Sequence, residues 1–511
     1  MSAVSSLRVW PELPPGVTER IVSFMDRNEV ATSFRLVNKA AAAQFSGPDH
    51  TTIRLSQPVP PHAFAAHWLV PGATRGLTLK QRRQLLNLTA ASGVVANLGV
   101  AEQAAGCTLT CEVFEAAAAA GKLESCQWLW QQGCPTARLR EDGSSALLGA
   151  AAAGGHQHLC KWLLSLGLAW SSDGVAEAAR GGHVGLMEWL RIWWLHAKPV
   201  SSSGCPKVDN LRLACSAAHG LDLASLQRLC QDWAHKAAAI WGNWWYMVVA
   251  SAAGSPTPDW AAKVEWLEAQ GCRPADCLTG GAAACPDAPA RLAWLRSRGY
   301  PLGVCAVEAA ARNGNMGALQ YLLTEGLSQP PPQSHEIERV TAAAAQGGHL
   351  AALQALHEAG WRGSSSRWAV RDAAVGGHLH VLAWLVETHG AEAVGWLGAS
   401  LLGCATRCGS VELLAWLRER GCGWDANTFT NAAESGCVVV LEWLAERGCP
   451  MPETGEPYFA ACLNGDLGTL RCLRRLGCPQ GPADREWRAV PTGAAHEPVW
   501  AWLREEGLVA K

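Results

Sequence analysis

The sequence is poor in lysine, tyrosine and phenylalanine, and neither sign of charge dominates it. Its 511 residues include nine Lys against 33 Arg, four Tyr and seven Phe beside 26 Trp. Basic and acidic side chains number 42 and 44, a formal charge of −2. No global field therefore draws phosphate or anionic lipid, and the expectation from charge is no nucleic-acid partner. Charged residues make up only 17% against 49% hydrophobic, which excludes wholesale disorder and supplies material for a core. The length fits either about three globular domains or one long repeat array.

Other absences narrow the setting. The opening MSAVSSLRVWPELPPG has no apolar run of the secretory kind, so a cytoplasmic or nuclear location is expected. The 20 Cys form no CxxC pair, and reduced, buried thiols are the expectation. One uncharged run, Ala237 to Gly254, reaches the lower limit for a membrane span. It holds Asn243 and falls inside the repeat register below, so no membrane partner is expected.

Catalytic signatures are missing too. There is no GxSxG elbow, Walker loop, HExxH or GxGxxG. His156/His158 and His378/His380 have HxH spacing but recur at the start of repeat helices, where hydrogen bonding accounts for them. Cys107, Cys134, Cys272, Cys422, Cys449 and Cys478 each follow a glycine at the end of a unit. Cys404 and Cys408 share a helical face and read as small buried groups. No catalytic residue, metal site or cofactor is expected; an enzyme with a cryptic site is the remote alternative.

What is present is self-similarity. GKLESCQWLWQQGC (Gly121 to Cys134), GHLHVLAWLVETHG (Gly377 to Gly390), GSVELLAWLRERGC (Gly409 to Cys422) and GCVVVLEWLAERGC (Gly436 to Cys449) share one pattern. Thirteen units centre on positions 128, 162, 189, 228, 266, 294, 321, 355, 384, 416, 443, 472 and 502, about 31 residues apart, and nine of these anchors are Trp. A degenerate fourteenth precedes them near Ala101. Each unit reads as an Ala-rich helix, a glycine turn and a second helix with Leu at helical spacing. Seven units keep glycines twelve apart: Gly121/Gly133, Gly155/Gly167, Gly314/Gly326, Gly348/Gly360, Gly409/Gly421, Gly436/Gly448 and Gly465/Gly477. The first suits a sharp turn and the second a left-handed helix cap. The Trp stripe reads as core in the seams between units. His196 to Lys207, Trp241 to Trp245 and Leu327 to His335 read as insertions.

The unit resembles the ankyrin repeat, most clearly in AAARNGNMGALQYLLTEGL (Ala309 to Leu327) and AAAAQGGHLAALQALHEAG (Ala342 to Gly360). The TPLH opening is missing and Trp replaces the usual Leu, so a generic helical-hairpin solenoid is the competing reading. The resemblance implies partner contacts just before the turn glycine, at Arg180, Arg312, Asn313, Gln346, Arg407 and Glu434.

The amino-terminal stretch WPELPPGVTERIVSFMDRNEVATSFRLVNK (residues 10–39) is a different object. Its Leu13, Pro14, Val17, Ile21, Phe24, Met25, Val30, Phe34 and Val37 resemble the F-box pattern, although Gly16 stands where that family has Glu. The resemblance implies docking on a Skp1-like adaptor of a cullin ubiquitin ligase; the plain alternative is a helical cap on the solenoid.

The sequence thus predicts an all-α fold. Residues 1–45 form a small F-box-like segment, 46–78 a Pro/Gly-containing connector, and 79–511 an elongated α-solenoid of stacked ankyrin-like helix-turn-helix repeats. Its expected function is protein recognition, as substrate receptor of a ubiquitin ligase or as a non-catalytic scaffold. Oligomeric state is not legible. Lysine is absent from Val264 to Ala510, which fits compositional drift or an arm that escapes its own modification.

Overall fold

The computed structural model describes residues 14–136, 146–167, 173–196, 206–231, 245–271, 279–325, 327, 333–362, 367–390, 398–481, 487, 490–491 and 496–508. Leu13, Cys272, Gly326 and most of the three insertions lie outside them. Among the described residues there are 32 α-helices and no strand. Among the described residues no helix is long and apolar enough to cross a membrane; within the Ala237 to Gly254 run, the described part holds the nine-residue helix Trp245–Ala253.

From residue 79 the helices form pairs, here units 1 to 13, each with a first (inner) and a second (outer) helix. Unit 1 is Leu79–Ser92 with Val95–Ala105, and unit 2 is Cys111–Ala119 with Leu123–Gln131. Unit 11 is Ala399–Ala405 with Val411–Glu419, unit 12 is Ala426–Ser435 with Val438–Glu446, and unit 13 is Glu456–Leu463 with Leu467–Arg475. A last helix, Glu497–Glu505, follows.

The glycine rhythm sets the hairpin. Every described member of the seven pairs has positive φ, for example 72° at Gly348 and 85° at Gly421, a conformation that costs other residues about 1 kcal/mol or more. At Gly348 a second constraint acts, because an added Cβ would sit 2.5 Å from the His378 ring of the next unit.

Leucine and alanine make the core. Leu129, Leu159, Leu292, Leu382, Leu414 and Leu441 are fully buried, as are Ala310, Ala344 and Ala374 on inner helices. The Trp anchors behave differently from the expectation. Only Trp443 and Trp502 are buried, at 7% exposure; Trp128, Trp162, Trp189, Trp266, Trp294, Trp384 and Trp416 are half-buried. The following Leu points at the inner helix, whereas the indole lies sideways across the seam between outer helices. Trp384 meets His357 of the preceding unit edge-on at 5.7 Å. The guanidinium four residues on covers the exposed face in three units: Arg298 on Trp294 at 5.0 Å, Arg420 on Trp416 at 3.8 Å and Arg447 on Trp443 at 4.6 Å.

The array is not the open, elongated platform expected. Inner helices pack on one another more closely than outer helices do, so the stack curves with inner helices on the concave side. The curvature carries unit 1 back onto units 11 to 13. The inner helix of unit 1 touches that of unit 12. Thr108 N–H donates to the Gly465 carbonyl at 2.9 Å, Gly468 N–H to the Gly106 carbonyl at 2.9 Å, and Arg83 to the Asn464 carbonyl at 2.7 Å. The inner helices of units 1 to 12 thereby close a ring.

Residues 15–44 form short helices, Pro15–Val22, Arg27–Thr32 and Lys39–Gln44. The stretch after them is tied down at both ends. Asn28, fully buried, donates to the carbonyls of Arg54 (2.8 Å), Gln57 (3.2 Å) and Pro58 (2.9 Å) and accepts from Arg54 N–H. Asn97 of unit 1 donates to the Val59 carbonyl at 2.8 Å. Thr52 to Leu55 forms no strand.

Candidate partner-binding surfaces

Inner-helix side chains that avoid both neighbours point into the ring. Arg180, Arg312, Asn313, Gln346, Arg407 and Glu434 are all exposed, each at the end of an inner helix just before its turn. Arg407 and Glu434 meet across units 11 and 12 at 4.0 Å. They border a depression of about 430 Å³ with Thr430, Phe459 and Asn464. Arg312 pairs with Glu308, which also holds Arg339 of the next unit at 2.6 Å. Arg180 is separate from these and has no ion-pair partner among the described residues.

Arg180 lies on a groove of about 980 Å³, which crosses the inner helices of units 4 to 7: Asp173–Arg180, Pro206–Gly220, Trp245–Ala253 and Thr279–Ala283. Cys215, Ala250, Gly254, Gly281 and Ala284 give it a low floor. Arg212 is held by Asp173 and, at 3.0 Å, by Glu177; Arg291 is held by Asp287 at 2.7 Å. Burial, with the Arg180 and Lys263 cations nearby, pushes His219 below the usual imidazole range. Arg212 and His219 were not predicted from sequence, because in a helix whose face is unknown they look like any solvated polar residue.

The repeat histidines are structural. Nε2 of His156, His183, His349 and His378 donates to the carbonyls of Ala119 (3.0 Å), Ala153 (3.1 Å), Arg312 (3.1 Å) and Gln346 (2.9 Å) in the preceding unit. Each satisfies an inner-helix carbonyl left open at its C-terminus. His380 reaches Gly348 O at 3.0 Å. No group of three or more His, Cys, Asp or Glu is placed to hold a metal among the described residues. Cys134 and Cys449 are buried and donate to carbonyls of Thr110 and Asp425. Cys404 and Cys408 are only half-buried.

The amino-terminal segment divides the predicted adaptor residues. Val30 is buried, and Met25 and Phe34 are half-buried, with Phe34 edge-on to Phe45 at 5.8 Å. Val17, Ile21, Phe24 and Val37 face solvent, joined by Leu36; Phe24 is 83% and Leu36 76% exposed. Pro14 is exposed. Asn28 was not anticipated, since nothing local distinguishes a polar residue that will be buried by a segment 26 residues away.

No protein-family model and no curated protein sequence matches the chain. Solved structures to which it is similar include the pentatricopeptide repeat protein PPR10 from maize, at 12% identity over 99% of this chain and 92% of that one, TM-score 0.24. PPR10 in complex with an 18-nt psaJ RNA element gives 12% identity over 94% and 86%, TM-score 0.23. The stacked helix pairs of the chain itself define its class, a helical-repeat solenoid protein. The exclusion of nucleic acid drawn from net charge is corrected here: a repeat structure among these matches is crystallised with RNA, and overall neutrality does not forbid a locally cationic surface.

Proposed function

We propose that this is a binding protein in which a divergent ankyrin-type array holds a protein target and an F-box-like segment docks a Skp1-like adaptor, so that the chain acts as a substrate receptor of a ubiquitin ligase. The observation that carries the adaptor half is the apolar strip Val17, Ile21, Phe24, Leu36 and Val37. These residues expose large apolar side chains within one short helical segment, and an exposed apolar patch marks an interaction site. A cap that merely shielded the array would turn such side chains inward. The glycine hairpin and the histidine ladder support the ankyrin reading.

The test is capture of a purified Skp1-like adaptor by the full chain. Ile21→Asp with Phe24→Asp should abolish capture and leave the unfolding midpoint unchanged, since neither side chain is in the core. Failure of the intact chain to bind adaptor would remove the ligase role and leave the scaffold reading.

A further inference from the structure

Ring closure restricts what can reach the inner face. Twelve inner helices form the closed circuit. With neighbouring axes about 8–10 Å apart, the circuit measures about 110 Å, and a circle, its widest form, places opposite axes about 35 Å apart. Subtracting one helix thickness of about 10–12 Å leaves an opening of at most about 25 Å. A folded domain of about 100 residues, with a radius of gyration near 13 Å, is roughly 34 Å across. A single helix or an extended chain passes; such a domain does not.

The wall of this opening has one strong preference. Several of its charges are paired: Arg212 with Asp173 and Glu177 of the preceding unit, Arg312 with Glu308 on its own helix, and Arg339 with Glu308 of the preceding unit. Among the described residues Arg180 is the groove arginine without a carboxylate, and it borders a floor of Cys215, Ala250, Gly254, Gly281 and Ala284 that lets a main chain approach closely. Ser251 and His219 add polar groups to the lining of the same groove. Such a groove fits a narrow backbone carrying an acidic side chain.

We infer that the ring takes its target as an extended or single-helical segment threaded through the opening, with an Asp or Glu of that segment paired to Arg180 in the groove of units 4 to 7. This rests on the reading of the array as the target-binding surface. The experiment presents three pools to the immobilised full chain: linear 12-residue peptides displayed on mRNA, a folded-scaffold library with a randomised surface, and random 40-nucleotide RNA. Linear peptides should be enriched, with an acidic residue at one position, and Arg180→Glu should weaken a selected peptide at least tenfold without changing the circular dichroism. Peptides that bind equally to Arg180→Glu would overturn the assignment of the groove. Enrichment of folded scaffolds alone would overturn threading and keep the binding role, and enrichment of RNA alone would overturn the acidic-peptide assignment. A chain that selects nothing from any pool would overturn both the inference and the reading beneath it.

Discussion

Arg82 and Asp466, 384 residues apart, meet as a buried two-point ion pair, Nη1 to Oδ1 at 2.9 Å and Nη2 to Oδ2 at 2.5 Å, with both side chains at most 3% exposed. Arg82 also donates to the carbonyls of Ala105 and Gly436, and Asp466 caps its own helix through Thr469. Burial opposes the Arg82 charge, but the Asp466 carboxylate more than offsets it and raises the guanidinium above its ordinary value. Asp466 occupies the place that His349 and His378 take in their units, so the ladder changes residue at the seam that closes the ring.

Removing one partner should therefore be costly. Arg82→Ala leaves a buried carboxylate uncompensated, a loss of about 3–5 kcal/mol, and small-angle scattering should show an expanded particle as the seam opens. The half-buried pair Arg75–Glu442 at the same seam, whose carboxylate also holds Arg475, should contribute less, about 1 kcal/mol. Equal losses for Arg82→Ala and Arg75→Ala in denaturant titrations would contradict this ranking.

Leucine rather than tryptophan should carry the middle of the array. Leu385 is 3% exposed and Trp384 half-buried. Leu385→Ala should cost about 2–5 kcal/mol, while Trp384→Ala should cost about 1–2 kcal/mol because its outer face already meets water. Trp443→Ala, at a buried indole, should approach about 3 kcal/mol. Urea unfolding of the three variants settles the order.

Two glycines of similar φ separate backbone strain from crowding. A Cβ added at Gly421 would meet nothing within 4 Å, whereas one added at Gly348 would meet the His378 ring at 2.5 Å. Gly421→Ala should cost about 1–2 kcal/mol from conformation alone. Gly348→Ala should cost distinctly more, and His378→Ala in the same chain should recover part of the excess. The unfolding midpoints of the three chains measure it.

Lys263 makes stability depend on pH. Its side chain is fully buried, donating to Ala218 O and Ser255 Oγ at 3.0 Å. Burial pushes its pKa down from 10.5 to about 8, partly opposed by Asp259 and Asp222. The unfolded chain then holds the extra proton between pH 8 and 10.5. Stability due to Lys263 rises with pH across that window and is lowest below pH 8. Relative to Lys263→Met, wild type should gain about 3 kcal/mol over the window. The buried thiols, raised by burial to about 11 at Cys107, Cys160 and Cys422, are common to both chains and cancel. A difference in unfolding free energy that stays flat from pH 7.5 to 10 would show that Lys263 is not desolvated.

The local plan was legible because it is written in every unit. Glycines twelve residues apart, alanine-rich first helices and Leu-bearing second helices specify the hairpin without reference to distant residues, and the exposed ends of the inner helices follow from the same register. The apolar strip near Phe24 was legible as a pattern, although its exposure was not. Trp384 shows where reading stopped: hydrophobicity places an indole near a seam, but how deep it sits depends on the side chain of the neighbouring unit.

The sequence by itself determined the helix pairs, their turns and their number, since these depend on contacts within about 30 residues. Only the tertiary structure decided that the array closes, that Arg82 would find Asp466, and that Arg180 would face an enclosed groove. Closure is the sum of small rotations between neighbouring units, none of which any single repeat encodes, and a few degrees more or less per step would have left the two ends apart.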